Sequence, residues 1–207
     1  MLVTGIKSQP VYAELMPDPR GTRHLLLAEG DGGAALLRLY ASFHAECQPG
    51  EPCLPSREIH YLRAPAPAID HSAALRRLEA DAVALYDNLD DFRAALRNLL
   101  DEACMGLRLY VAGREGFLWT VSTLASEFGV YKDEIQRELV GTRARPVYCV
   151  HCKTLNHDVT TNIARCTGCG VMLLVRDHFS RRLGAYMGVC VDAEMPGEIP
   201  PIEEVFR

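Results

Sequence analysis

The stretch HLLLAEGDGGAALLRLY, residues 24–40, decides the fold of the N-terminal part of this 207-residue chain. It begins with a short apolar run, turns at glycines between residues 30 and 33, and continues with apolar residues at helical spacing. A strand, a glycine turn and a helix in this order open a βα unit, whose strands pair in parallel. We therefore predict an α/β domain with a parallel sheet that helices cover on both faces.

The same order recurs in the second half of this domain. LRLYVA at 107–112 is the strongest strand in the chain, and a glycine turn leads from it into a predicted helix over 117–128. The other predicted elements are a strand at 58–62, helices at 72–86 and 90–104, and a segment at 132–140 that fits either a short helix or a last strand.

Composition limits the classes of ligand and location. The formal net charge is −5. Nucleic-acid binding needs an excess of Lys and Arg on one face, so a nucleic-acid-binding protein, including one that binds through a zinc-ribbon domain, is disfavoured. The sequence contains no apolar stretch of about 20 residues and no basic region followed by an apolar run at its start, so we expect a cytoplasmic protein. The eight cysteines then indicate metal ligands or free thiols. Cys47 and Cys53 are expected to be free thiols, with a disulfide as the alternative in an oxidising compartment.

Four cysteines form two C-x-x-C pairs that are separated by thirteen residues. They are Cys149, Cys152, Cys166 and Cys169. Two residues between cysteines allow both thiolates of a tight turn to face one ion, and two such turns complete a tetrahedral site. Gly168 and Gly170 are expected to supply positive φ angles. We predict a structural zinc, because four protein ligands leave no position for water; a rubredoxin-like iron site uses similar turns and stays open as an alternative. His151 and His157 are expected to lie at the surface or beside the ligands.

The two glycine turns of the α/β domain are weak candidates for binding a cofactor. The residues concerned are Gly30, Gly32, Gly33, Gly113 and Arg114. Phosphate groups bind at helix N-termini that follow such turns. The first turn, however, lacks the G-x-G-x-x-G spacing, and Glu29 and Asp31 would repel an anion there. A plain connection between strand and helix is therefore favoured over nucleotide binding.

A segment rich in arginine and aromatic residues follows the second cysteine pair, and these residue types are favoured at protein interfaces. We predict a partner interface rather than an acid–base site, because adjacent residues such as Asp177 and His178 point to opposite sides of an extended chain. A solvated loop is the alternative. The candidate interface residues are Arg176, Asp177, His178, Phe179, Arg181, Arg182 and Tyr186.

The predicted organisation has four parts. Residues 1–20 form an N-terminal arm, 21–142 the α/β domain, 146–191 a small β-rich zinc-ribbon domain, and 192–207 an extended acidic tail that contains three prolines.

Two segments of the α/β part resemble the nicotinamide-binding module of the ferredoxin reductase superfamily. They are residues 24–40 and 109–139, LYVAGREGFLWTVSTLASEFGVYKDEIQREL. The resemblance implies a Rossmann-like fold. The sequence departs from that family where Glu29 stands for a turn glycine and Ala112-Gly113-Arg114 stands for Cys-Gly-Pro, which favours a degenerate module that serves as a scaffold.

The cysteine module and the run VRDHFSRRLGAYMGVCVDAEMPGE at 175–198 closely resemble the small A subunit of bacterial dimethylamine monooxygenases. That family implies a multicomponent enzyme whose partners are a haem subunit and a reductase with FMN and a [2Fe–2S] cluster, supplied by NADPH. The complex would convert dimethylamine and O2 to methylamine and formaldehyde. This sequence has no haem attachment motif and no ferredoxin-type cysteine run. We therefore predict a structural or assembly subunit without catalytic residues. The alternatives are a nicotinamide-nucleotide-binding reductase component and a rubredoxin-like iron electron carrier.

Overall fold

The computed structural model describes residues 8–45, 56–64 and 68–207, and only the backbone of residues 44 and 45. The chain divides into two compact units. The α/β unit comprises residues 12–141, and the cysteine unit comprises residues 142–207 together with the N-terminal segment up to Val11. Cys47, Cys53 and the first seven residues of the predicted arm lie outside the described residues.

The described part of the α/β unit contains five parallel strands and four helices. The strands are β1 (Arg23–Glu29), β2 (Ser56–Leu62), β3 (Ala82–Tyr86), β4 (Leu107–Gly113) and β5 (Ile135–Leu139). The helices are α1 (Gly33–Ala45), α2 (Ser72–Leu75), α3 (Leu89–Asp101) and α4 (Glu115–Glu127). The strand order is β3-β2-β1-β4-β5, and every pairing is parallel. The predicted parallel α/β fold is therefore confirmed.

The apolar run of β1 is buried on both faces of the sheet. Leu25, Leu26 and Leu27 are each fully buried, and successive side chains of a strand point to opposite faces. Leu26 belongs to the cluster that α1 covers with Leu36 and Tyr40. Complete burial of a leucine stabilises the fold by about 2 kcal/mol relative to exposure. A continuous apolar run in a central parallel strand is thus explained by two covered faces.

The predicted helix over 72–86 is wrong. Only Ser72–Leu75 is helical, and Ala82–Tyr86 is the edge strand β3, which pairs with β2 in parallel. The run AVALY has both helical and strand-compatible apolar spacing, and periodicity does not distinguish the two in so short a segment. The undecided segment at 132–140 is a 3-10 turn at Lys132–Glu134 followed by β5.

The cysteine unit is a second five-stranded sheet. Its strands are β6 (Arg145–Cys149), β7 (Leu155–Val159), β8 (Ile163–Arg165), β9 (Met172–Ser180) and β10 (Ala185–Cys190). The order is β7-β6-β10-β9-β8, with β6 and β10 parallel and the other pairs antiparallel. This confirms that the second domain is β-rich. Near the C-terminus the amides of Val205 and Phe206 donate to the Thr160 carbonyl at 3.0 and 2.9 Å, so the end of the tail is bound to this unit.

None of the helices in the described part of the chain is long and apolar enough to cross a membrane.

Candidate metal centre and the carboxyl edge of the parallel sheet

Two turns of the same construction carry the four cysteines. In the first turn the Lys153 amide donates to the Cys149 carbonyl at 2.9 Å, and in the second the Gly170 amide donates to the Cys166 carbonyl at 3.0 Å. In both turns the amide of the first cysteine donates, over 2.9 Å, to the carbonyl five residues later. Each turn therefore holds its two sulfurs on one side.

The four sulfur atoms converge on one point. All four lie within 4.8 Å of one another, with 3.8 Å between the sulfurs of Cys149 and Cys169 and 3.5 Å between those of Cys152 and Cys166. A tetrahedron with metal–sulfur bonds of about 2.3 Å has sulfur–sulfur edges of about 3.8 Å. The donor set and its dimensions therefore fit one tetrahedral ion with four thiolate ligands.

The two turns meet their backbone requirements in different ways. Lys153 has a φ of 70° and Gly170 a φ of 76°, and each directly follows the second cysteine of its turn. The prediction of a positive φ holds for Gly170 and is wrong for Gly168. A Cβ at Gly168 would lie 2.1 Å from Thr154 Oγ1 and 3.2 Å from the Cys152 sulfur. Gly168 is needed because the two turns approach each other closely. In the first turn a lysine, Lys153, adopts the left-handed conformation that Gly170 adopts in the second.

Asn156 joins the two turns, and the sequence analysis did not identify it. Its side chain is 3% exposed. The amide nitrogen donates to the Val147 carbonyl at 3.2 Å, and the amide oxygen accepts from the backbone and hydroxyl of Thr167 at 2.7 and 2.9 Å. The amide nitrogen also lies 3.8 Å from the Cys166 sulfur. A polar residue inside a strand that leads away from a C-x-x-C turn was the available signal, because a buried amide needs nearby partners.

The sulfurs differ in how readily they ionise. Hydrogen bonding from Thr154 lowers the pKa of the Cys152 thiol to about 6, so this ligand is mostly thiolate at neutral pH. The Val171 amide lowers the pKa of Cys169, but burial and the neighbouring cysteines outweigh this and raise it to about 12. Four negative charges at these distances repel each other strongly, and a divalent cation between them removes that repulsion.

The two histidines of the module, His151 and His157, are both exposed. Neither belongs to the group of converging ligand atoms. Among the described residues the cluster therefore consists of four sulfurs, with the thiols of Cys149 and Cys166 buried and the other two half-buried.

The candidate interface residues lie on the hairpin of β9 and β10. Arg181 and Arg182 are exposed at its turn, whereas Phe179 and Tyr186 are buried and pack with their ring centroids 4.9 Å apart. The two aromatic residues therefore form part of the core of the cysteine unit in this structure, and the arginines form its surface.

The remaining candidates of the hairpin are half-buried: Arg176, Asp177 and His178. Asp177 accepts from Arg145 at 2.7 Å, and the Arg145 guanidinium stacks 4.1 Å from the centre of the Tyr186 ring. Asp177 thus compensates the charge of a nearly buried arginine. Its carbonyl also accepts from the Ser8 amide at 2.9 Å, so the N-terminal segment extends along β9.

The five weak cofactor candidates are brought together at the carboxyl ends of β1 and β4. Gly30, Gly32 and Gly33 follow β1, Gly113 is the last residue of β4, and Arg114 follows it. The chain adds β2 and β3 on one side of β1, and then β4 and β5 on the other side. Doubly wound sheets bind their ligands at the point where the strand order reverses in this way, which here lies between β1 and β4. At this edge Arg114 donates to both carboxylate oxygens of Glu29, at 3.1 and 2.7 Å.

Two family models match this chain. The model described as "Dimethylamine monooxygenase subunit DmmA-like, N-terminal domain" matches residues 4–135, and the model of the DmmA-like C-terminal domain matches residues 146–189. The chain belongs to the DmmA-like family. A relative of this DmmA-like chain, the heme-dependent oxidative N-demethylase delta subunit of Ectopseudomonas mendocina (strain ymp), is 42% identical over 127 residues. The aligned part covers 60% of this chain and 73% of the relative. The predicted family is confirmed.

The DmmA-like chain also has distant structural likenesses. Phthalate dioxygenase reductase matches 69% of the chain at 19% identity with a TM-score of 0.47, and the ferredoxin reductase of carbazole 1,9a-dioxygenase matches 61% at 15% identity with a TM-score of 0.43. An intact type IV self-sufficient cytochrome P450 monooxygenase matches 82% at 17% identity with a TM-score of 0.46. The chain spans only 46%, 36% and 21% of these three proteins. The fold assignment therefore depends on the strand order described above.

Proposed function

We propose that the chain is a zinc-binding structural and assembly subunit of a multicomponent haem-dependent N-demethylase. The convergence of the four cysteine sulfurs within 4.8 Å carries the proposal. These are Cys149, Cys152, Cys166 and Cys169. When bound, zinc would supply no chemistry beyond cross-linking the two turns, because four sulfurs complete its tetrahedral coordination.

The construction of the centre supports a structural role. Cys149 and Cys166 are buried at 0% and 3% exposure, and each turn is closed by backbone hydrogen bonds. The centre joins β6 and β7 to β8 and β9, the two edges of the sheet, so metal binding contributes directly to the folding of the cysteine unit. We favour zinc over iron because zinc is redox-inert and four cysteine thiolates are one of its usual structural ligand sets.

The enzymatic context comes from the family and from the similarity to a heme-dependent oxidative N-demethylase delta subunit. We place the chain in a complex with a haem subunit and a reductase that carries FMN and a [2Fe–2S] cluster and uses NADPH. Dimethylamine is the proposed substrate, with methylamine and formaldehyde as products. We also propose a cytoplasmic location, in keeping with cysteines that serve as thiolate ligands.

We assign the partner contact to the hairpin of β9 and β10. Arg181 and Arg182 project from its turn and are exposed. Two contacts hold the hairpin in place: the packing of Phe179 on Tyr186 and the ion pair of Asp177 with Arg145. A rigid base with exposed guanidiniums suits recognition of an acidic surface on a partner, because arginine pairs with carboxylates in fixed geometry. The extended tail, 192–207, is the second proposed contact.

The interface is tested by replacing both arginines with alanine, R181A/R182A, in the native host. The proposal expects the variant to fold and bind metal as before but to retain about tenfold less of the haem and reductase subunits on purification. The matched control is R76A/R77A, which removes an equally exposed arginine pair from the α/β unit. Retention of the partners by R181A/R182A at the level of the control would contradict the proposed contact.

A rubredoxin-like iron carrier is the second candidate function, since the same four-sulfur geometry also holds iron. It predicts a coloured protein whose absorption bleaches on reduction. A colourless protein with one zinc per chain supports the structural role.

A further inference from the structure

The carboxyl ends of β1 and β4 form the position where a doubly wound sheet takes the phosphates of a dinucleotide. A nicotinamide dinucleotide is the ligand that the fold implies there. Two properties of the described residues decide whether it fits. They are the space beside the turn glycines and the charge that the chain itself places at this edge.

The space beside the glycines is already filled by protein atoms. A Cβ at Gly32 would lie 2.3 Å from the carbonyl oxygen of Ala112, and one at Gly33 would lie 2.6 Å from the Cβ of His71. A Cβ at Gly30 would meet that of Ala64 at 2.9 Å. In a phosphate-binding loop, glycines let the ligand approach the backbone. Here they let strand β4 and neighbouring side chains approach it instead.

The charge at this edge is supplied by the chain. Glu29 accepts two hydrogen bonds from Arg114, and with 11% exposure of its side chain it occupies the space that an anion would need beside this guanidinium. Asp31 accepts from the Ile69 amide at 2.7 Å. Arg114 therefore pairs with a carboxylate of the chain, and a second carboxylate, Asp31, lies in the same glycine turn as Gly30 and Gly32.

A third carboxylate lies in the first turn of α4. Glu115 is 4% exposed and accepts from the Tyr12 hydroxyl at 2.6 Å, while the Trp119 ring nitrogen donates to the same hydroxyl at 2.8 Å. A negative charge at a helix N-terminus is stabilised by the helix dipole, which is the effect that phosphate binding uses. Glu29, Asp31 and Glu115 thus place three carboxyl groups at the ends of β1 and β4.

We infer that the α/β unit is closed to nicotinamide dinucleotides because its own carboxylates, above all Glu29, take the positions of the phosphates. The residues present do not fit the cofactor that the fold implies. This deepens the proposed function, since it assigns the entry of NADPH electrons to a different subunit. The inference rests on contacts within the α/β unit alone, so its test is independent of the test of the metal centre.

The test compares the full chain with Glu29→Gln, which keeps the shape of the side chain and removes its charge. Pyrophosphate is the probe of the anion position, and NADPH is the probe of the whole cofactor site, both by calorimetry and thermal unfolding. The wild-type chain should bind neither ligand at concentrations up to about 1 mM. Glu29→Gln should bind pyrophosphate at least about tenfold more tightly than the wild-type chain. In this variant the guanidinium of Arg114 no longer faces a negative charge at position 29, so it can attract the anion.

The matched control is Glu14→Gln, because Glu14 is an exposed carboxylate of the same unit that pairs with Arg38 at 2.7 Å. It should leave pyrophosphate binding unchanged. Glu29→Ser serves as a second variant should Glu29→Gln fail to fold. Binding of NADPH by the wild-type chain with a Kd below about 1 mM would overturn the inference. So would a response of both Glu29 variants to pyrophosphate no greater than that of Glu14→Gln.

Discussion

The metal centre and the carboxyl edge of the parallel sheet are both built from pairs of turns that follow β-strands, and they differ in how their polar groups are satisfied. At the carboxyl edge, Glu29 and Arg114 neutralise each other and the space beside the glycines is filled. At the metal centre four sulfurs face one another within 4.8 Å, and further ionisation is opposed by their own repulsion. Groups that converge without neutralising each other mark a binding site. Groups that satisfy each other mark a structural connection.

The largest effect is expected from removing one metal ligand. Cys166→Ser should abolish metal binding and unfold the cysteine unit, because a structural zinc contributes on the order of 10 kcal/mol to the folding of such a module. Metal content and circular dichroism of the β-rich unit are the measurements. Cys104→Ser, which changes an exposed cysteine of the α/β unit, should retain both. A Cys166→Ser protein that unfolds like the wild-type chain would show that the cluster is not a folding element.

An intermediate effect is expected at the residue that joins the two turns. Asn156→Ala removes the side-chain hydrogen bonds to the Val147 carbonyl and to the amide and hydroxyl of Thr167, which should lower the free energy of unfolding by about 3 kcal/mol. Because its amide also lies beside the Cys166 sulfur, metal affinity should fall by about tenfold or more. Competition with a chelator measures the affinity.

Asn162→Ala provides the comparison for that substitution, since Asn162 makes its side-chain bonds to the tail at Pro201 and Glu203. It should leave metal affinity unchanged. Equal metal affinities of the wild-type chain, Asn156→Ala and Asn162→Ala would show that Asn156 does not contribute to metal binding.

The smallest effect belongs to the α/β unit and depends on pH. Burial lowers the pKa of His60 to about 4, so between pH 6.5 and 4 the unfolded chain binds a proton that the folded chain does not. Stability is therefore lost as the pH falls through this window, by about 2 kcal/mol between pH 7 and 5. Denaturant titrations at both pH values measure the loss.

The control variants separate His60 from other titrating groups. His60→Gln should remove this part of the pH dependence, because glutamine does not titrate. Its amide can still hydrogen-bond with the Tyr86 hydroxyl, which lies 2.8 Å from the Nδ1 of His60. His157→Gln, at an exposed position, should keep it. A pH dependence that is identical in the wild-type chain and His60→Gln would contradict the role of this buried imidazole.

The sequence predicted most of the two sites because their chemistry is local. The spacing of Cys149 to Cys152 and of Cys166 to Cys169 determines which sulfurs share a turn, and Glu29 could be recognised as unfavourable to an anion from its place in the glycine turn. The partner of Glu29 could not be predicted, because Arg114 is 85 residues away and meets it only through the parallel pairing of β1 and β4.

The failures have the same physical origin. The segment at 82–86 is a strand because β2 offers a free edge, which a single segment does not reveal. A glycine is required at 168 because Thr154 of the other turn approaches it closely. Asn156 is required because its side chain hydrogen-bonds across to the second turn. Burial of Phe179 against Tyr186 is likewise a contact between strands, so aromatic residues that suggested an interface belong to the core.

The most direct test of the account is X-ray absorption of the purified full-length chain combined with metal analysis. The account predicts one zinc per chain with four sulfur ligands at about 2.3 Å and no nitrogen or oxygen ligand. A site with fewer than four sulfurs, or with a bound oxygen at an open coordination position, would contradict the central claim that this centre only holds structure.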